Sequence, residues 1–397
     1  MDFTPTEEQQ AARDLAARIF GDLATHERLA AAGTGTDAEL WKALCAAGLM
    51  EAVEETGLLG LVLLAEEQGR TTAQVPFTAS GAYGLLALTR HGTQEQRARL
   101  LPGLRDGTTV ITGAFPAQAP AQGAMEAARR AVSGAGPGEG PAPGTGAGSG
   151  SGSAAGSGSG TGTASDTGSG AGAGAGGGRL TGTVGWVPWL RDATHVLVPD
   201  GDRALWLVRT ADLPGPVEKV ELTAAWSAGR LVLDGTPAEP VGGPGPEAYE
   251  DVLTAVRIAF AGLQAGVCAG SLARAVAYTS TREQFGRPLS SNQAVQLRAA
   301  DAHMDTEAIR VTAYEAAWRY DQALPAAEHA LTAAWWASEA GKRVVHTGQH
   351  LHGGMGADLD HPVHRHFLWG RQLDAYLGCG TELLAELGDL LAQGGPA

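Results

Sequence analysis

The chain has 397 residues, long enough for about two or three domains of ordinary size. Hydrophobic residues make up 44% of it, enough for a large core, and 43 acidic against 28 basic residues leave a net charge of −15. That balance argues against a general binder of nucleic acid or of anionic membrane. Of the 58 glycines, 20 fall within residues 134–178. Cys45, Cys268 and Cys379 are odd in number and far apart, so neither a disulfide framework nor a CxxC metal pair is expected. The opening MDFTPTEEQQ has no basic and no apolar region, so no signal peptide is read. The longest clearly apolar run, Leu58 to Ala65, is far short of the ~20 residues that span a bilayer. A soluble, cytoplasmic protein is expected.

Residues 1–106 read as a helical domain. Thr6 can cap a helix over Glu7–Ala24, and Asp37 a second in which Leu40, Trp41, Leu44 and Cys45 recur at helical spacing, with Gly48 as its stop. Leu58–Gly69, Thr78–His91 and Thr93–Leu104 follow as helices, the last capped by Thr93. Residues 107–246 read as a reduced β unit. Thr108–Thr112 is β-branched, Thr194–Val198 and Ala204–Arg209 flank the turn Pro199-Asp200-Gly201, and Leu231–Leu233 adds a short strand. Inside this unit, residues 134–178 carry only Glu139 and Asp166 as charges and almost nothing to bury. A disordered linker, a tolerated insertion, is the expectation there. Residues 247–397 carry helical patterns at about 248–281, 292–321, 325–353 and 369–391, as in an antiparallel four-helix bundle. The fold class is therefore mainly α with a small β-domain between two helical parts.

Several stretches carry a family resemblance. Glu66-Glu67-Gln68-Gly69-Arg70 precedes Pro76, and Gly92-Thr93-Gln94-Glu95-Gln96 precedes Leu101-Pro102-Gly103-Leu104. Arg282-Glu283-Gln284-Phe285-Gly286-Arg287-Pro288-Leu289 precedes Gln293, and His352-Gly353-Gly354-Met355-Gly356 precedes His361-Pro362-Val363-His364-Arg365. In this order the chain resembles the acyl-CoA dehydrogenase family over nearly its whole length, residues ~116–178 excepted. The resemblance implies FAD as cofactor and an acyl-CoA thioester as substrate, desaturated between its α and β carbons, with electrons passed to an electron-transfer acceptor. It also implies a tetramer.

The resemblance assigns FAD contacts to Arg282, Gln284, Phe285 and Gln293, reaching a cofactor held mainly by a neighbouring subunit. Gln349, Gly353, Gly354 and Gly356 would lie near its adenine–ribose half, and Trp186 would pack on the flavin. An arginine is a fork donor suited to a pyrophosphate, and a residue without a side chain lets backbone come close. Each residue has a plainer reading. Arg282 can pair with Glu283, Phe285 or Trp186 can be core, and Arg257, which matches an active-site arginine of the family, can pair with Asp251 or Glu250.

The departures are as informative. The family's base is a glutamate fifteen residues after the proline of its PVxR motif; here that position is Leu377, within Tyr376-Leu377-Gly378. Some members carry the base just before the Arg257 position; here that residue is Val256. A leucine or valine cannot take a proton. The threonine expected two residues after Trp186 is Pro188, and the loop after Phe115 is unrecognisable. The chain is most similar to the base-lacking subunits of actinobacterial heterotetrameric, steroid-degrading members, whose partner subunit holds the glutamate. Two alternatives stay open: an autonomous enzyme with another base, and a non-catalytic scaffold without flavin. His346, His350, His352, His361, His364 and His366 cluster, but no HExxH accompanies them, and no metal site is expected.

Overall fold

A computed structural model describes residues 3–115 and 177–393. The linker expected at 134–178 therefore lies outside the described residues up to 176, and Gly178 already begins a strand. Helix α1 (Glu7–Leu23) opens with a capping box: the Thr6 hydroxyl accepts the Gln9 N–H at 3.2 Å and the Gln9 amide accepts that of Thr6 at 2.9 Å. After α2 (His26–Ala32), α3 (Ala38–Ala46) starts where the Asp37 carboxylate accepts the Leu40 N–H. Helix α4 (Leu49–Thr71) begins earlier than the apolar run at Leu58 suggests, because Gly57, at φ 73°, breaks it into two pieces. The second piece is capped by Asp321, whose carboxylate accepts the N–H groups of Leu58 and Leu59 at 2.8 and 2.9 Å. The next helical stretch is α5 (Phe77–Ala79), a π-helical turn Ser80–Leu86 and α6 (Ala87–His91), followed by α7 (Gln94–Asp106), capped by Thr93 and Gln96.

The strands are β1 (Ile111–Gly113), β2 (Gly178–Val187), β3 (His195–Pro199), β4 (Leu205–Arg209), β5 (Glu218–Lys219) and β6 (Gly229–Val241). They run in the order β1-β3-β4-β6-β2, with β5 also on β6; β1 is parallel to β3 and the other pairs are antiparallel. The β3–β4 hairpin closes on Asp200, which accepts the N–H groups of Asp202 and Ala204 at 2.9 Å. One end of β6 pairs with β2 and the other with β4, which curls the sheet around Val187, Val196, Val208 and Leu231.

The C-terminal part holds α8 (Glu247–Thr281), a hairpin of β7 (Glu283–Gln284) and β8 (Arg287–Pro288), α9 (Gln293–Asp321), α10 (Ala327–His352), α11 (Pro362–Leu377) and α12 (Gly380–Gln393). The single helix expected over 369–391 is thus two. Gly378 and Cys379, at φ 110° and 59°, turn the chain left-handed between them, and Pro362 starts α11 earlier. Helix α8 is long and apolar enough to cross a bilayer, yet most of that stretch is buried among other helices, as in a core helix.

Helices α4 and α8 meet backbone to backbone. A Cβ added at Gly69 would overlap the Leu263 oxygen, one at Gly266 that of Glu66, and one at Gly270 that of Arg70. Beside this seam the fully buried Glu66 carboxylate is caged: Arg310 donates to it at 2.7 Å, Arg70 at 3.0 Å and the Tyr314 hydroxyl at 2.7 Å, with Arg13 at 3.5 Å. Burial pushes the Glu66 carboxyl up, but Arg310, Arg13 and Tyr314 hold it below the usual range. The cage ties α1, α4 and α9 together. Gly266→Ala forces the seam apart and is expected to cost about 3 kcal/mol in urea denaturation, whereas Gly388→Ala, with open space around it, should be neutral or stabilising by up to ~1 kcal/mol. Equal effects would contradict the seam.

Candidate functional site

The end of α11 places Leu377, 1% exposed, just before the left-handed Gly378. Val256 is fully buried on α8. One turn along α8 from Val256, Phe260 packs on Tyr376, the residue before Leu377, with ring centroids 4.6 Å apart, so the two helices that carry the positions the resemblance assigns to a base touch there. Around Tyr376 the chain's own aromatic groups gather. The Tyr83 hydroxyl, delivered by the π-helical turn, lies 2.5 Å from that of Tyr376. Both phenols reach the Phe115 carbonyl, Tyr376 at 3.1 Å. Their two protons serve that oxygen and the link between them. The Phe115 ring meets Tyr83 edge-on at 5.1 Å and Tyr249 at 5.2 Å. A Cβ added at Gly113 would run into the Tyr83 ring, so only a glycine lets the ring lie there. Burial pushes both Tyr83 and Tyr376 far above the usual phenol range and keeps them as O–H donors.

The neighbouring carboxylates are engaged. Asp251 accepts from His91 at 2.6 Å, Tyr320 at 2.8 Å and Arg90 at 3.0 Å; burial raises it, and these partners hold it below the usual carboxylate range. Glu250 faces Arg203 at 3.9 Å. Arg257 pairs with neither of them. It donates to Glu386 of α12 at 2.8 and 2.5 Å, a partner that sequence spacing does not suggest. Asp374, one turn before Gly378, takes the Ser338 hydroxyl and Arg371.

Trp186, at the end of β2, is partly buried with its ring 5.9 Å from Tyr376. Tyr376 also meets Trp226 edge-on at 5.9 Å, and Trp226 stacks on Trp189 and abuts Trp369. Gln372 holds this aromatic wall to the β unit by accepting the N–H and hydroxyl of Thr223. Pro188, where the resemblance expects a threonine, accepts the Thr112 hydroxyl through its carbonyl at 2.6 Å.

The other assigned residues form a second group at one end of the bundle. Gln284 and Phe285 sit on the β7–β8 hairpin, reversed by Phe285 at φ 54° and Gly286 at φ 74°, and Arg282 caps the end of α8 just before it. Phe285 is 100% exposed, so it is not core. Arg282 forms no ion pair with Glu283 among the described residues. Gln293 opens α9, where Asn292 caps the Ala294 N–H at 3.0 Å. Gln349 donates to the Gly356 oxygen at 3.1 Å, and a Cβ added at Gly356 would collide with the Gln349 oxygen. Gly353 and Gly354 face open space. Tyr278, one turn before Arg282, stacks on His352 at 4.7 Å and joins the two motifs. A guanidinium without an ion pair among the described residues, the start of a long helix, a flat exposed ring and bare backbone suit a dinucleotide's pyrophosphate and rings. These residues fit FAD presented from outside the chain.

Of the histidines, His352 meets His361 at 4.9 Å and His346 meets Phe367 at 4.9 Å. Among the described residues no group of three or more His, Cys, Asp or Glu could hold a metal. Arg365 ties α11 to the end of α4 through Gln74 at 3.0 Å and Thr72 at 3.4 Å. Sequence reasoning does not single out Tyr83, Phe115, Tyr249 or Glu386; the signal for Tyr83 is its place in the small-residue run Ser80-Gly81-Ala82-Tyr83-Gly84.

Family models described as the acyl-CoA dehydrogenase N-terminal and C-terminal domains match residues 6–108 and 243–386. The chain is 32% identical to the acyl-CoA dehydrogenase FadE27 of Mycobacterium tuberculosis over 99% of both chains. Among solved structures it resembles a chain of a variant of the Tcur3481-Tcur3483 steroid ACAD, with 37% identity, a TM-score of 0.79 and 98% of each chain covered. It also resembles a chain of the ChsE4-ChsE5 complex from Mycobacterium tuberculosis, with 32% identity, a TM-score of 0.80 and both chains covered completely.

His366 is fully buried between the carbonyls of Pro362 and Arg70, and burial, with Arg274 nearby, pushes it down to about 4. As pH falls below ~6.5 the unfolded chain takes a proton that the folded chain refuses. Folding stability should therefore fall by up to ~3 kcal/mol between about pH 6.5 and 4 on account of this residue. His366→Gln should flatten that slope in denaturant titrations; an unchanged slope would contradict the assignment.

Proposed function

Since the chain belongs to the acyl-CoA dehydrogenase family, we propose that it is the base-lacking subunit of a heteromeric, FAD-dependent acyl-CoA dehydrogenase. The observation that carries this reading is Leu377, a buried leucine where the family keeps its proton acceptor, with Val256 equally apolar at the alternative position. A positioned base is worth roughly 10²–10⁴-fold in rate, so the chain by itself is a poor desaturase. When bound, FAD supplies the acceptor for the hydride that leaves the acyl β-carbon. Arg282 and the first turn of α9 hold the pyrophosphate of a cofactor seated in the partner, Phe285 covers a flat face of it, and Gly353 and Gly354 admit its adenosine half. The partner contributes the glutamate that removes the α-proton.

Two further observations support a heteromer. The steroid ACAD and ChsE4-ChsE5 relatives are named as complexes of two different chains. Helix α9 exposes Leu297, Met304 and Val311 along one stripe, with Val276 and Phe285 also exposed, an apolar patch of the kind that marks protein interfaces. The steroid-handling relative makes a bulky, steroid-side-chain acyl-CoA the proposed substrate.

The test is to purify the chain alone and with a glutamate-bearing acyl-CoA dehydrogenase subunit, and to record flavin absorption and desaturation. Flavin and activity are expected only for the pair. Activity of the lone chain would contradict the reading, and two colourless preparations would indicate a scaffold instead. In the pair, Arg282→Ala should lower flavin content without dissociating the subunits. Leu377→Glu should not make the lone chain active.

A further inference from the structure

The β7–β8 hairpin carries a second arginine, Arg287, to which the resemblance assigns no role. We propose that Arg287 joins Arg282 in a two-arginine clamp on the pyrophosphate of the FAD seated in the partner. The proposal rests on reading the chain as a subunit that completes a neighbour's cofactor site.

Side chains alternate between the two faces of an extended strand, and residues directly opposite across an antiparallel ladder share a face. Here Glu283 pairs with Pro288 and Gln284 with Arg287. Arg282 is extended as well, at φ −74° and ψ 119°. Its carbonyl accepts the Leu289 N–H at 2.9 Å, which continues the ladder by one pair. The register therefore puts Arg282, Gln284 and Arg287 on one face of the hairpin and Glu283 on the other. Phe285 and Gly286 are both left-handed, as a two-residue hairpin turn requires, and so hold this register. Arg287 thus shares a face with Arg282 and Gln284, both of which the resemblance assigns to the cofactor.

The charges agree with this placement. On a chain of net charge −15, Arg282 and Arg287 are both exposed. Neither forms an ion pair among the described residues, because Glu283, the nearest acid in sequence, lies on the far face. The two arginines stand diagonally across the ladder, about 7–8 Å apart at their backbones and within reach of each other's long side chains. Two like charges so placed repel, and an anion held between them offsets that repulsion. A pyrophosphate carries negative charge on each phosphate, and one guanidinium fork engages one phosphate with two parallel hydrogen bonds. A single arginine therefore serves half of the group and the pair serves both halves.

The test uses this chain paired with a glutamate-bearing acyl-CoA dehydrogenase subunit, stripped of flavin and titrated with FAD while flavin fluorescence is followed. Arg287→Ala is expected to weaken FAD binding about tenfold. Arg287→Lys, which keeps the charge but not the fork, should weaken it less, and Glu283→Gln should not weaken it. Added salt should weaken FAD binding more steeply in the wild-type pair than in Arg287→Ala, because an exposed charge contact is screened. Unchanged affinity in Arg287→Ala, or a salt dependence equal to that of the wild type, would overturn the proposal. If gel filtration shows that Arg287→Ala comes apart from its partner, Arg287→Lys is judged by the same two outcomes. Loss of affinity in Arg282→Ala but not in Arg287→Ala would sink the clamp alone and leave the proposed function standing. A pair that takes up no FAD would sink both.

Discussion

The arrangement depends on the contact between the α4 and α8 backbones. Gly69 on one side and Gly262, Gly266 and Gly270 on the other let the helices touch at their main chains, closer than any side chain allows. The caged carboxylate of Glu66 lies on the α4 side of that seam and binds α1 and α9 to it. Removing one partner from so buried a charge cluster costs several kcal/mol, whereas the intact cluster mainly fixes geometry. Once α8 is pinned, Val256 and Phe260 are fixed, and Tyr376 with Leu377 is set against them. A motif shared with the family, Glu66 to Arg70, is thus accounted for by structure.

Two groups of residues that the resemblance assigns to one cofactor take different environments here. Trp186 and Tyr376 face inward and touch each other within an aromatic wall. Arg282 sits instead at the end of α8 and Phe285 on the adjoining hairpin, which two consecutive left-handed residues hold in shape, with the Phe285 ring fully exposed. The first group has the character of core and the second that of a surface made for something else. This division, together with an apolar residue at each position that the resemblance assigns to a base, supports the proposed subunit that completes a neighbour's site over one that runs the reaction by itself.

Much of this is legible in the sequence. Thr6, Asp37 and Thr93 cap the helices that their spacing predicts, because an N-cap is a local interaction. The β3–β4 hairpin follows from Pro199-Asp200-Gly201 for the same reason. That Leu377 and Val256 stand where the resemblance expects a base is read from position alone. What sequence does not reveal are the contacts between distant segments. Asp321 caps a helix that begins more than two hundred residues earlier, Glu386 replaces the expected partners of Arg257, and Tyr83, within a π-helical turn, meets Tyr376 almost three hundred residues on. The break at Gly378 and Cys379 carries a glycine stop signal, but the apolar pattern that continues across it hides the break in a sequence reading.

The most direct test of the central claim is a cryo-EM map of the chain co-purified with a glutamate-bearing partner and an acyl-CoA. The account predicts FAD density against Arg282 and Phe285 of this chain, with the partner's carboxylate beside the substrate's α-carbon. A flavin lodged between Trp186 and Tyr376, with an Asp or Glu of this same chain at that carbon, would contradict it.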